Sequence, residues 1–137
     1  MEHGTHSLSF WRKYIFSLDH KTIGTQYTLT GLLMAAIGGF LAYVFRYNLA
    51  FPGQNIPLFG HLSSDQYNTF VTCHGMIMVF WVAMPILVAG FGNFLIPLMI
   101  GTDDMAFPTL NMMSFWIFFL SAVVLVASFF VPGGAFG

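Results

Sequence analysis

Polar and apolar positions alternate along this chain in long blocks. No charged residue lies between Lys21 and Arg46 or between Asp65 and Asp103, and nothing after Asp104 is charged. A helix crosses the hydrocarbon core of a bilayer with ~20 consecutive apolar residues. Three spans are therefore predicted, over residues 25–45, 67–100 and 111–131. The middle stretch is longer than one crossing requires, so it should overrun the membrane or tilt. The first lies too far in, and is too well flanked, to be a cleaved signal peptide. The expected fold is all-α, a polytopic transmembrane helix bundle, with residues 1–24 as a leading cytoplasmic segment and residues 25–137 as helices and loops.

Basic residues set the expected orientation. Arg12, Lys13 and Lys21 all precede the first span, and positive charge stays on the cytoplasmic side, so the N-terminus is expected inside. The loop over 46–66 then faces outward. The loop over 101–108 faces inward, carrying acids where bases are usual, and this is the first pointer to function. The run Phe51-Pro52-Gly53-Gln54-Asn55-Ile56-Pro57 is rich in turn formers. Pro97 marks the inner end of the middle stretch. Pro85 should kink it, with neighbouring helices satisfying the freed carbonyl. Gly31, Ala35, Ala36, Gly38 and Gly39 form a cluster of small residues in the first span, suited to close helix contact or to a flat cofactor.

Composition narrows the field. Of 137 residues, 57% are hydrophobic, 18% aromatic and 7% charged, with four Lys+Arg against five Asp+Glu. A soluble domain carries about 25% charged residues, so a soluble globule and a disordered chain are both excluded. Four basic residues cannot form a nucleic-acid footprint. A single cysteine, Cys73, excludes a disulfide framework and a multi-cysteine metal cluster.

The polar residues that a membrane should reject carry the candidate chemistry. His74 lies in Val71-Thr72-Cys73-His74-Gly75-Met76, and ionisable groups inside spans are functional candidates. A neutral imidazole is a common metal ligand and a usual axial ligand of haem iron. Gly75 leaves room beside it for a macrocycle. The plainer alternative is a histidine hydrogen-bonded to a neighbouring helix, and no second histidine within the spans accompanies it. Asn93 follows ~28 Å along the helix at ~1.5 Å per residue, which puts the two near opposite membrane faces. Asn111, Ser114, Ser121 and Ser128 recur on one stripe of the third span, with Asp104 just before it. A carboxylate at a mouth followed by amides and hydroxyls can pass protons; the alternative is that these groups only hold helices together. Arg46 ends the first span. It is either an interfacial arginine or a donor to a cofactor held by His74, which is expected at the same membrane depth.

Taken together, these residues resemble a known family. Asp19-His20-Lys21-Thr22-Ile23-Gly24-Thr25 with Tyr27 resembles the opening of the catalytic subunit, subunit I, of haem–copper oxidases. Val71-Thr72-Cys73-His74-Gly75, Met84-Pro85, Gly90-Phe91-Gly92-Asn93, Ile96-Pro97-Leu98-Met99-Ile100-Gly101, Asp104-Met105-Ala106-Phe107-Pro108 and Asn111-Met112-Met113-Ser114-Phe115-Trp116 are similar to its first three helices. The resemblance runs from about Trp11 to the end of the chain. It implies the N-terminal portion of a subunit of about twelve helices.

The resemblance also implies roles. His74 matches an axial ligand of the low-spin haem, and Arg46 the arginine that hydrogen-bonds the formyl group of that haem, implying haem A. Asp104 matches the acid at the mouth of a proton-uptake channel, Asn93 and Asn111 the asparagines above it, and Tyr27 and Ser114 further lining groups. The second haem and the copper belong to later helices. The implied partners are those helices, other oxidase subunits including a copper-bearing subunit II, membrane lipid, and cytochrome c as electron donor. The implied activity is oxidation of cytochrome c, reduction of oxygen to water and proton pumping, in a bacterial plasma membrane. A quinol oxidase of the same superfamily is the alternative, although Phe91-Gly92-Asn93 is closer to the cytochrome c branch. A structural or assembly membrane protein without metal is the alternative from another class. Two departures limit the match. Asn48 stands where a glutamate often serves an outer cation site, so that site is not carried over. Met112 stands where a second channel asparagine is common.

Overall fold

The structure, a computed structural model, describes residues 10–131. The two ends of the chain, including the expected continuation of Pro132-Gly133-Gly134-Ala135-Phe136-Gly137 into a further loop, lie outside the described residues. Three helices are long and apolar enough to cross a membrane: α1 (His20–Ala50), α2 (Ser64–Ile100) and α3 (Pro108–Ser128). The predicted spans sit on these helices, but the boundaries differ for local reasons. Asp19 caps α1 by accepting the Thr22 N–H at 3.0 Å and the Thr22 hydroxyl at 2.9 Å, so α1 starts before the apolar stretch does. Its far end runs past Arg46 because an arginine at a membrane edge extends its head to water without leaving the helix. Ser63 and Gln66 form a reciprocal capping box that starts α2 at Ser64. Pro108 occupies the first turn of α3, where its missing N–H costs nothing.

The expected kink at Pro85 takes a different form. From Ile77 to Ala83 and from Pro85 to Gly90, α2 winds as a π-helix. The Met84 N–H reaches back five residues to the Val79 carbonyl. Proline has no N–H to donate and its ring crowds the carbonyl of the preceding turn, and a wider turn relieves both. Helix α2 ends at Gly101, whose φ of +71° gives the left-handed cap that glycine adopts without a steric penalty.

Helix α1 is the central element, packing along the length of α2 and also against α3. Its seam with α2 is built on glycine. A Cβ at Gly31 would lie 2.6 Å from Ile86 Cγ1, one at Gly38 3.0 Å from Met78 Sδ, and one at Gly24 2.9 Å from Phe94 Cε2. These three glycines recur every seven residues, which keeps them on one face. Of the small residues noted in the sequence, Gly31 and Gly38 therefore serve helix approach, whereas Gly39 faces open space. Two apolar clusters fill the bundle. One, around Met34, Leu41, Phe70 and Ile77, continues into the 51–63 loop, where Ile56 and Leu62 are buried against it. The smaller cluster, Ile23, Tyr27 and Phe115, lies toward the other end. Helix α3 buries little beyond Phe115 and Ala122, so most of its surface is left to lipid or further helices.

Filling the seam should be costly. Gly31→Val is expected to destabilise the protein by about 1–3 kcal/mol through overpacking, with Ile86→Ala in the same chain restoring part of the loss. Thermal unfolding of the detergent-purified protein measures both.

Candidate functional site

The polar side chains buried in the bundle gather at two levels. The first level is His74 on α2. Its Nδ1 lies 2.8 Å from the Gly38 carbonyl of α1. A carbonyl only accepts, so Nδ1 carries the proton and donates. The imidazole is thereby held as one tautomer, and Nε2 keeps its lone pair with no hydrogen bond among the described residues. Phe45 packs edge-on against the ring at a centroid distance of 5.5 Å. The surfaces at Gly39 and Gly75 are open, with nothing within 4 Å of a Cβ placed there.

Arg46 stands eight residues beyond Gly38 on α1, or ~12 Å at ~1.5 Å per residue. Its position is exposed, part-way along a groove of about 500 Å³ that runs from Gly39 past Ala42 and Tyr43 to Ala50 and Phe51.

The second level lies toward the start of α1 and joins all three helices. Asn93 of α2 is 4% exposed. It donates to the Ala89 carbonyl at 2.7 Å and accepts from the Asn111 amide of α3. Ser114, one turn further along α3, donates to the Asn111 carbonyl at 2.7 Å. Its proton is thus committed, so the Tyr27 hydroxyl, 3.0 Å away, donates to it. Asp104 stands below this line in the 101–107 loop. Its Oδ1 is 3.1 Å from His20 Nδ1 at the start of α1 and accepts the Met105 N–H at 2.8 Å.

The stripe proposed along α3 divides after Ser114. Ser121 donates to the Phe118 carbonyl and accepts the Trp81 indole N–H at 3.2 Å. Ser128 donates to the Leu125 carbonyl. Neither hydroxyl extends the Asn93–Asn111–Ser114–Tyr27 group: Ser121 ties α3 to α2 through Trp81, as the plainer reading of membrane serines expects, and Ser128 bonds only its own helix. Conversely, His20 was quoted in the Asp19-His20-Lys21 run without a role, although it is 3% exposed and faces Asp104. The signal in the sequence was a histidine at the edge of an apolar span, on the same side as an acidic loop. Next to it, burial raises the Asp19 carboxyl. The Thr22 hydroxyl and N–H, nearby His20 and the Lys21 N–H outweigh that and hold it below its ordinary value of 3.8.

Comparison with known proteins follows this geometry. Residues 22–137 match the family model described as cytochrome c and quinol oxidase polypeptide I. The chain belongs to that family. It is 44% identical over 132 residues to an alternative cytochrome c oxidase subunit 1 of Bradyrhizobium diazoefficiens, covering 96% of this chain and 22% of that protein. It is 43% identical over 128 residues to a heme-copper oxidase subunit I+III of Aeropyrum pernix, covering 93% of this chain and 15% of that one. It is 42% identical over 128 residues to cytochrome c oxidase subunit 1 of Thermostichus vulcanus, covering 93% and 22%. The chain thus spans about a fifth of the length of the curated relatives it matches. Its membrane helices and its family together make it an integral membrane protein of the haem–copper oxidase type.

The amide pair should be a joint structural unit. Asn93→Leu leaves the Asn111 amide without its acceptor in an apolar surround, and a loss of about 1–3 kcal/mol is expected. Asn93→Leu with Asn111→Leu should recover part of it in the same thermal assay.

Proposed function

We propose that this chain supplies the first three helices of the oxygen-reducing subunit of a terminal respiratory oxidase. In this reading it contributes one axial ligand to a low-spin haem and the mouth of a proton-uptake channel. The observation that carries the proposal is the state of His74. A metal-binding histidine donates its other ring N–H to a backbone carbonyl or a carboxylate, which fixes the tautomer and raises ligand basicity. The bond to Gly38 has that form, and the neighbouring glycine surfaces are free of side chains. This donor set fits a haem iron. When bound, the haem supplies one-electron transfer. Among the described residues no group of three or more His, Cys, Asp and Glu is placed to hold a metal ion, so a single axial histidine is what this segment has to offer. Arg46 lines the same groove as Gly39 and would donate to a polar substituent at the haem edge. A formyl acceptor there corresponds to haem A.

The chain's own contribution to proton movement lies at the other end. Asp104 is half exposed and collects protons from the aqueous side. Asn93, Asn111, Ser114 and Tyr27 give a run of donors and acceptors leading from it into the bundle. Arg12, Lys13 and Lys21 support a cytoplasmic N-terminus by the positive-inside tendency, so uptake occurs from the cytoplasmic side of what we take to be a bacterial plasma membrane. The electron donor is cytochrome c, and the bare faces of α3 are sites for the remaining helices of the subunit. A copper-bearing subunit and a second haem–copper centre complete the complex.

Absorbance spectra of the assembled enzyme test the ligand. In His74→Ala the low-spin haem bands should disappear, and their full persistence would sink the assignment. Asp104→Asn should slow oxygen consumption about tenfold or more, which is ~1.4 kcal/mol on the limiting barrier, and abolish most proton pumping. Turnover with reduced cytochrome c, and none with quinol, fixes the donor.

A further inference from the structure

Apart from His74, His20 is the one histidine turned inward among the described residues, and nothing in the proposed mechanism uses it. We propose that His20 is a positioning residue, which holds the Asp104 carboxylate at the mouth of the polar line. The proposal rests on Asp104 being the proton-collecting acid.

The geometry carries it in three steps. The imidazole side chain is 4% exposed, and its Nδ1 faces two carboxylates, Asp104 Oδ1 at 3.1 Å and Asp19 Oδ1 at 3.9 Å. Ionised carboxylates only accept, so Nδ1 bears the proton. The other nitrogen, Nε2, is buried with no protein partner. A histidine that merely ties helices together spends its nitrogens on backbone or on a neighbouring helix. This ring spends its one protein hydrogen bond on Asp104.

Second, the ring selects between adjacent acids. Asp103 has no hydrogen bond or ion pair among the described residues, and Asp104 has both. Third, Oδ1 alone is occupied. It accepts from His20 and from the Met105 N–H, while Oδ2 accepts no hydrogen bond among the described residues. One oxygen is thus an anchor and the other is left to exchange a proton with the aqueous phase. The anchor matters because Asp104 belongs to an exposed loop between α2 and α3. His20 begins α1, the helix that carries Tyr27. The bond therefore ties the loop to the helix that bears Tyr27, one member of the polar line, and a misplacement of only ~1 Å can cost up to ~100-fold in rate.

The test uses the assembled oxidase in sealed vesicles, reading oxygen consumption, proton uptake and the haem spectrum. His20→Ala should slow turnover and uptake about tenfold with the haem bands unchanged. His20→Asn, whose amide N–H falls near the place of Nδ1, should recover at least half of the rate. His20→Ala added to Asp104→Asn should slow the enzyme no further than Asp104→Asn alone, because the two act as a unit. Wild-type turnover in His20→Ala, equal loss in the Ala and Asn variants, or multiplied losses in the double variant would each overturn the proposal. If His20→Ala does not assemble, His20→Asn against His20→Gln decides: a faster Asn variant supports an anchor at Nδ1, and an equal or slower one refutes it. Wild-type rates in Asp104→Asn would remove the channel reading itself and this proposal with it. A slow Asp104→Asn beside a wild-type His20→Ala removes only the role of His20.

Discussion

Within a bilayer, a polar group that turns away from water has to find its partner inside the protein, and the arrangement of this chain follows from that constraint. Interhelical pairings meet it, the Trp81 indole N–H of α2 donating to the Ser121 hydroxyl of α3 among them. His74 of α2 donates to the Gly38 carbonyl of α1, the Asn93 and Asn111 amides bridge α2 and α3, and Tyr27 of α1 donates to Ser114 of α3. Each is a contact between different helices, so each fixes a relative rotation that apolar packing leaves loose. The apolar clusters around Met34 and Ile23 then fill what these pairings define. Lipid competes with other helices for apolar surface on nearly equal terms, so directional bonds have more to decide here than in a water-soluble bundle.

Those bonds depend on close backbone approach. The His74 ring reaches the Gly38 carbonyl because α1 presents glycines at 24, 31 and 38 to α2, and a Cβ at any of them would meet a side chain of α2 at 3.0 Å or less. The π-winding of α2 between Ile77 and Gly90 runs along the same seam. Irregular winding of this kind is frequent at functional sites, and here it separates the level of His74 from the level of Asn93. The sequence features that look most like defects in a helix, three glycines and a proline, are the ones that shape its functional face.

What the sequence revealed and what it concealed divide along physical lines. The three helices were legible because the uncharged intervals from Lys21 to Arg46, from Asp65 to Asp103 and after Asp104 are each long enough to cross a bilayer core. Helix ends were less so, since Asp19, Ser63 and Pro108 act through local caps that extend beyond the apolar blocks. Of the candidate site, His74, Asn93 and Asn111 were visible as polar residues within or beside the apolar spans, and Asp104 as an acid in the loop before the third. Their pairing was not, because a hydrogen bond between α2 and α3 depends on helix rotation that no periodicity encodes. Ser121 and Ser128 share a stripe with Ser114, but a stripe gives direction and not partners. The Ser128 hydroxyl bonds its own helix, and that of Ser121 bonds its own helix and Trp81 of α2.

Under the proposed function, placing the two levels at opposite ends keeps two conflicting requirements apart. A group that passes electrons benefits from a rigid surround, and His74 is braced by Phe45 and by a backbone carbonyl. A group that passes protons needs contact with water and side chains that can both donate and accept. Asp104 is half exposed, and the amides and hydroxyls above it supply both functions. These requirements conflict if they fall on one site. Helix α1 touches both levels along its length: its first residue faces Asp104, Tyr27 follows two turns on, and its Gly38 carbonyl orients His74. The glycine seam that seats α1 against α2 fixes both contacts at once, because each depends on how closely the two helices approach.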